Sequence, residues 1–303
     1  MATGSKHQFE RIVCTDVLNL DHHTKAILST FSLQPLEYLS EPLASPAAVA
    51  VRIGDADAVL MSFATPMGQE VLEQCPNVKY IGICGTNLQT VDLKHCEKHG
   101  IVVRNVTDYS DEATAEWVLG QYLRLCRGWG EDQLFDQPCE LTGKLLGIIG
   151  MGAVGQKLVD RALGFEMQVI YYSRSRKPEI EAKGVTFKCL EELLGTADVI
   201  SLHVPKNLLI LDAARLAQIR AGAVVINTSL GQTMEMEALV QFAKKGRHYL
   251  VMDRGPDKVY WDQLAGMERT ILVDETAGIT LEARARLGNK VIEQMAVFLA
   301  SQN

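Results

Sequence analysis

A single stretch limits the folds open to this chain more than any other. Gly150-Met151-Gly152-Ala153-Val154-Gly155 is a Gly-x-Gly-x-x-Gly turn, preceded by the apolar run Leu145-Leu146-Gly147-Ile148-Ile149. The run reads as a buried parallel strand, and Val154 to Leu163 reads as a helix. Strand, glycine turn and helix together form the context in which this pattern carries meaning. Gly150 permits the tight turn, Gly152 lets backbone approach a pyrophosphate, and Gly155 allows the helix to pack closely on the strand. A pyrophosphate is favoured there because free N–H groups and the helix dipole meet at the helix start. The plainer alternative is a glycine-rich turn with no ligand.

The next apolar run, Gln168-Val169-Ile170-Tyr171-Tyr172, reads as the following strand. A site for NAD usually carries a carboxylate about twenty residues after the glycines, on the ribose 2′-hydroxyl. This strand ends instead in Ser173-Arg174-Ser175-Arg176-Lys177. Hydroxyls and guanidinium forks suit a 2′-phosphate. The expected cofactor is therefore NADP(H), preferred over NAD(H), with a solvated basic loop as the alternative.

Apolar runs elsewhere alternate with helical stretches. In the N-terminal third, residues 12–14, 58–61, 80–84 and 100–103 read as parallel strands, with helices over 69–75 and 93–99. Glu112 to Cys126 has the spacing of one long helix. Further strands are expected at 198–202, 223–226, 249–252 and 270–273, and a last helix from Leu281 to Leu299 with Thr280 as its N-cap. The fold class expected is α/β, with two doubly wound parallel-sheet (Rossmann-like) domains and an active site in the interdomain cleft.

Composition narrows the function classes. At 303 residues the chain is long enough for two domains, and its net charge of −7 argues against a general nucleic-acid binder. No apolar run approaches a membrane span, and Met1–Gln8 lacks the hydrophobic core of a secretion signal. The seven cysteines include no Cys-x-x-Cys pair, which suggests reduced thiols, a cytoplasmic location and no metal site.

Several landmarks, taken in order, resemble the D-2-hydroxyacid dehydrogenase family over nearly the whole chain. Gly85-Thr86-Asn87 resembles its glycine-containing substrate loop, and Ala113-Thr114-Ala115-Glu116-Trp117 the start of its long linking helix. His203-Val204-Pro205, Asn227-Thr228-Ser229, Asp253 and Ala277-Gly278 follow at the intervals of the family's cofactor-lining segments. The resemblance implies a discontinuous substrate domain (1–108 plus 281–303), a cofactor domain (109–280), a small-molecule substrate and a homodimer. It also implies an Arg that holds the substrate carboxylate, a His that moves the proton and a Glu that orients the His.

This chain departs from that set. The Arg position is Leu230, in Asn227-Thr228-Ser229-Leu230-Gly231, and the His position is Glu275, in Asp274-Glu275-Thr276-Ala277-Gly278. The Glu is expected near Asp257-Lys258, where none is found. Leu230 offers no donors to a carboxylate. Losing a cation and gaining an acid favours a neutral or cationic substrate over a 2-oxo-acid. Glu275 remains a candidate proton carrier if burial raises its pKa, with an exposed or structural residue in a site that has lost its chemistry as the alternative. Arg254 is a candidate replacement cation, with a surface ion pair as its alternative. His203 reads as structural support, Thr86 and Asn87 as substrate contacts or simple turn formers, and Tyr109 and Trp261 as packing, with an aromatic wall as their alternative. His22-His23 reads as a solvated loop.

Three functions stay open at this point: a reductase for an unusual carbonyl or imine, a non-catalytic NADP(H)-binding regulator or scaffold, and a conventional 2-oxo-acid reductase.

Overall fold

The computed structural model describes residues 8–41, 43, 45–62, 64–256 and 258–302. The leader reading over Met1–Gln8 lies, all but Gln8, outside the described residues, as does Asp257. The chain forms two compact units, residues 1–109 with 281–303, and residues 110–280.

In the first unit β1 (Ile12–Cys14), β2 (Ala58–Met61), β3 (Tyr80–Ile83) and β4 (Val102–Asn105) make a parallel sheet in the order β1-β2-β3-β4. Side chains alternate between faces along each strand. Ile12, Cys14, Leu60 and Tyr80 join one core, and Val13, Val59, Met61 and Ile81 join the other. The first core is closed by the C-terminal helix Leu281–Ser301 through Leu287, Val291, Met295 and Phe298. That apolar stripe explains why the end of the chain returns to the first unit.

The second unit holds seven parallel strands: β5 (Leu145–Ile149), β6 (Gln168–Tyr172), β7 (Thr186–Phe187), β8 (Val199–Leu202), β9 (Val224–Asn227), β10 (Tyr249–Met252) and β11 (Thr270–Leu272). Their order is β11-β10-β9-β8-β5-β6-β7. Alternation again divides the core. Leu146, Ile148, Val224, Ile226 and Val251 face the helices Asp111–Arg127 and Ala153–Gly164. Ile149, Ile200, Val225, Leu250 and Met252 face the opposite way. Because both faces are covered, the strands read as unbroken apolar runs. Strand order reverses direction at β5, between β6 and β8. In doubly wound sheets this switch point is where a ligand crevice forms, at the carboxyl ends of the strands.

Two sequence readings need correction. His22 and His23 are exposed but open the helix His22–Ser29, because the Asp21 side chain accepts the Thr24 N–H at 2.6 Å and caps it. The fourth strand begins at Val102 rather than Gly100, whose φ of +71° is a left-handed turn. The helix Pro46–Ile53 was not anticipated, although Ser45 as N-cap and Pro46 at its start mark it.

Phe298 anchors the returning helix. Its ring stacks on Phe9 at 5.5 Å and meets Tyr80 at 4.9 Å. Phe298→Ala should destabilise the first unit by about 3–5 kcal/mol. Hydrogen exchange checks this: amides of β1–β3 should exchange faster, while those of β5 and β8–β10 keep their protection.

Candidate active site

The carboxyl ends of β5, β6, β8, β9, β10 and β11 carry the segments singled out in the second unit. At the end of β5, Gly150 has φ +102°, and a Cβ there would lie 2.0 Å from the His203 carbonyl oxygen. A Cβ on Gly155 would lie 2.4 Å from the Gly150 carbonyl oxygen. Both positions are closed to any side chain, which is what close helix–strand packing requires. Gly152 differs, since a Cβ on it would meet nothing within 4 Å. It opens the helix Ala153–Gly164 without a capping side chain, and that first turn holds no acidic residue. The space over Gly152 and the uncapped N–H groups together suit a dinucleotide pyrophosphate. Met151 is 3% exposed and belongs to the core, so its contribution to a ligand is its backbone.

Beyond β6 the three cations are not equivalent. Arg176 is held by Glu181, with Nε 3.0 Å from Oε1 and a second bond from Nη2 to Oε2. Glu181 also accepts the Tyr171 hydroxyl at 2.8 Å, and the Arg176 hydrogen bonds pull its carboxyl down to about 2. The Tyr171 hydroxyl in turn accepts the Lys177 N–H at 2.7 Å. Arg174 is exposed and, among the described residues, makes no ion pair. The Ser173 hydroxyl donates to the Ser175 carbonyl. Of the two guanidinium forks, Arg176 braces the loop and Arg174 is the one open to an anion.

The ends of β8 and β9 are tied by buried polar groups. Ser229 Oγ donates to the Leu202 carbonyl at 3.0 Å and accepts the Val204 N–H at 3.1 Å, while the Asn227 side chain accepts the Ser229 N–H at 3.0 Å. The Ser229 hydroxyl is therefore spent on the frame. His203 Nε2 lies 2.8 Å from Ser201 Oγ, and burial lowers its pKa to about 4. It is a neutral ring that supports the turn before Val204-Pro205. Leu230, between Ser229 and Gly231, is half-buried and brings only hydrocarbon to its surroundings; Thr228 beside it is half-buried too. Sequence reasoning missed Asn207, which shapes this turn. It sits at φ +60°, donates its N–H to the Leu230 carbonyl at 3.3 Å and accepts the Gln232 N–H on Oδ1 at 3.0 Å. Asparagine's tolerance of left-handed backbone was the available signal.

Asp253 is 2% exposed. Its two oxygens accept the N–H groups of Gly255 at 2.9 Å and Ala277 at 2.8 Å, which tie β10 to the segment after β11. Desolvation raises its pKa, and these two donors oppose the rise. Arg254 N–H donates to the Glu275 carbonyl at 2.8 Å. The Arg254 side chain pairs with Asp274 and lies over Trp261 at 6.0 Å, so it has the surface ion-pair character named as its alternative. Trp261 also donates Nε1 to the Asp253 carbonyl at 3.3 Å. Glu275 is exposed, which is the first half of its alternative reading and leaves burial no part in tuning it. It lines a recess of about 530 Å³ with Ala113, Glu116, Trp117, Thr276 and Ile279. Gly278, next to Ala277, packs against Ser110 and Thr114.

Gly85, Thr86 and Asn87 belong to the first unit, just beyond β3. Asn87 accepts the Gln89 N–H at 2.9 Å, and the Thr86 carbonyl accepts Asn105 Nδ2 at 2.8 Å. Asn87 Nδ2 is buried and finds no hydrogen-bond partner among the described residues. Tyr109 packs in the first unit's core. Among the described residues no cluster of His, Cys, Asp and Glu could hold a metal, and no helix is long and apolar enough to cross a membrane.

His203 gives a pH signature. Its folded pKa of about 4 lies below the ordinary 6.5, so the unfolded chain binds the proton first as pH falls. Its contribution is complete above pH 6.5 and is lost as pH falls toward 4, an effect of roughly 3 kcal/mol. In His203→Gln, urea midpoints should fall less steeply across this window than in the parent. An unchanged slope would remove His203 from the pH dependence.

Relatives share this architecture. The family model for "D-isomer specific 2-hydroxyacid dehydrogenase, NAD binding domain" matches residues 103–271. A glyoxylate reductase of Thermococcus litoralis is 30% identical over 290 residues, covering 87% of each chain. Among solved structures, a putative D-isomer specific 2-hydroxyacid dehydrogenase from Polaromonas sp. JS6 66 superposes with a TM-score of 0.83 at 25% identity, over 96% of this chain and 97% of that one. An acyclic imino acid reductase in complex with NADPH and D-Arg gives a TM-score of 0.81 at 24% identity, over 96% and 97%, a likeness of fold. With the glycine turn at the switch point of its parallel sheet, the chain belongs to the D-isomer specific 2-hydroxyacid dehydrogenase family of oxidoreductases and carries that family's dinucleotide-binding domain.

Proposed function

We propose that this protein is an NADP(H)-dependent reductase for a carbonyl or imine that lacks the carboxylate handle of a 2-oxo-acid. The observation that carries the reading is Leu230. The turn between Ser229 and Gly231 keeps its frame, yet it presents hydrocarbon where the family resemblance implies a carboxylate-binding Arg. Arg254, the neighbouring cation, is engaged by Asp274. An acidic, aromatic recess holds Glu275 and Trp117. It disfavours an anion and suits a neutral or protonated electrophile.

Each group then has a stated task. When bound, the nicotinamide supplies the hydride. The backbone of Gly150, Gly152, Ala153, Val154 and Gly155 would hold the pyrophosphate, and Arg174 with Ser173 and Ser175 the 2′-phosphate. His203, Val204, Pro205, Thr228, Ser229, Asp253, Ala277 and Gly278 would shape the remaining cofactor wall. Glu275, exposed in the recess, would act as a carboxylate that stabilises an iminium. Gly85, Thr86 and Asn87 stay proposed substrate contacts. Residues 109–280 would serve as the cofactor domain and 1–108 plus 281–303 as the substrate domain. The protein would act in the cytoplasm as a homodimer.

A second reading, a conventional 2-oxo-acid reductase, is favoured by the Thermococcus litoralis relative, a glyoxylate reductase. Leu230 separates the two. Leu230→Arg should raise kcat/KM for glyoxylate at least about tenfold, the value of one recovered charge-assisted pair. No gain would contradict the role given to this position.

Cofactor choice has its own test. Arg174→Ala should weaken NADPH binding by about 10- to 100-fold and leave NADH within about twofold, as titration calorimetry would read. Equal losses for both would reject the 2′-phosphate assignment. Glu275→Gln should lower turnover by about 100-fold with NADPH affinity retained. Unchanged turnover would remove Glu275 from the chemistry.

A further inference from the structure

Just past the long helix of the second unit, the chain turns back and brings two thiols together. Gly128 ends the helix Asp111–Arg127 in the left-handed conformation at φ 65°. The returning segment is fixed by Leu134 N–H to the Leu125 carbonyl at 2.9 Å and by Cys139 N–H to the Cys126 carbonyl at 2.7 Å. That backbone bond sets Cys126 and Cys139 side by side, near enough for the Cys139 thiol to help hold the Cys126 thiol protonated. With about 2.4 Å from Cα to its carbonyl oxygen, 2.7 Å across the hydrogen bond and about 1.5 Å from N to Cα, the two Cα atoms lie within about 6.6 Å, inside the upper limit of about 6.8 Å for a disulfide. Neither thiol has a task in the chemistry above.

We propose that Cys126 and Cys139 form a reversible disulfide that staples residues 127–138 to the end of the helix. The two differ in access. Cys126 is 1% exposed, whereas Cys139 is half-buried. Burial holds the Cys126 thiol up at about 12, so Cys139 is the entry point. With glutathione disulfide as oxidant, the Cys139 thiolate attacks one of its sulfurs and a glutathione thiolate leaves. Cys126 then loses its proton to solvent and attacks Cys139 Sγ, which releases the second glutathione. Two protein thiols lose two electrons in total, and one glutathione disulfide becomes two thiols.

The stapled segment carries a surface. Trp129 is 58% exposed and Phe135 47%. They are steadied by Arg127 over the indole at 6.0 Å and Lys144 over the phenyl ring at 5.2 Å. Closing this loop removes freedom from the unfolded chain and restricts the segment that presents both rings. Cys189, exposed and far along the chain from this pair, is an internal reference able to take glutathione.

The experiment equilibrates the full-length protein in glutathione buffers from fully reduced to fully oxidised. Samples are acid-quenched and alkylated, then mapped by peptide mass spectrometry. The expected product is one linked pair, Cys126 with Cys139, two hydrogens lighter and restored by reduced glutathione. Its melting temperature should rise by roughly 5 °C. Cys189→Ser should leave the pair intact, and Cys139→Ser should abolish it. Cys139 carrying glutathione as the end product, or both thiols still free in fully oxidised buffer, would overturn the proposal.

Discussion

A missing side chain at residue 150 sets the geometry on which the second unit depends. Gly150 passes so close to the His203 carbonyl that a Cβ would overlap it, and the Gly150 carbonyl leaves no room for a Cβ on Gly155. These two approaches fix where the helix Ala153–Gly164 starts relative to β5 and β8. The uncapped start of that helix therefore stands at the switch point of the sheet, and Gly152 leaves open the space above it. The same contact places His203, whose burial keeps it neutral. Chain path, helix field and ring protonation all follow from atoms that are absent.

Around this turn, the strand ends are joined by buried polar groups. Ser229 links the ends of β8 and β9, and Asp253 links β10 to the segment after β11. Buried polar atoms without partners cost about 1–3 kcal/mol each, so such ties hold the backbone firmly. Leu230 sits next to Ser229, and Glu275 sits two residues before Ala277, whose N–H Asp253 accepts. The polar ties of this frame are made by Ser229 and Asp253, not by the side chains of Leu230 and Glu275. Chemistry at these two positions can change while the fold persists, and this supports reading them as functional differences.

Much of this was legible in the sequence where a local signal suffices. The strands Leu145–Ile149 and Gln168–Tyr172 form where their apolar runs place them, and the glycine turn follows directly. The strand Thr186–Phe187 spans too few residues to show a period. What the sequence could not show were the pairings made across the fold. Arg176 looks as available as Arg174 in a linear reading. Only the turn that brings Glu181 and the Tyr171 hydroxyl to it shows that it is occupied. Ser229 looks like a ligand hydroxyl until the Leu202 carbonyl and Val204 N–H claim it. Glu275 needed burial to be tuned, and its exposure depends on neighbours far along the chain.

The central claim is that hydride goes to an electrophile without a carboxylate anchor. It is tested most directly by initial rates of NADPH oxidation by the unmodified protein, with a cyclic imine and with glyoxylate in parallel. Losing one charge-assisted anchor is worth at least about tenfold. The account predicts kcat/KM for the imine above that for glyoxylate by about this factor. Glyoxylate reduced more efficiently than the imine would contradict it and return the chain to the conventional members of its family.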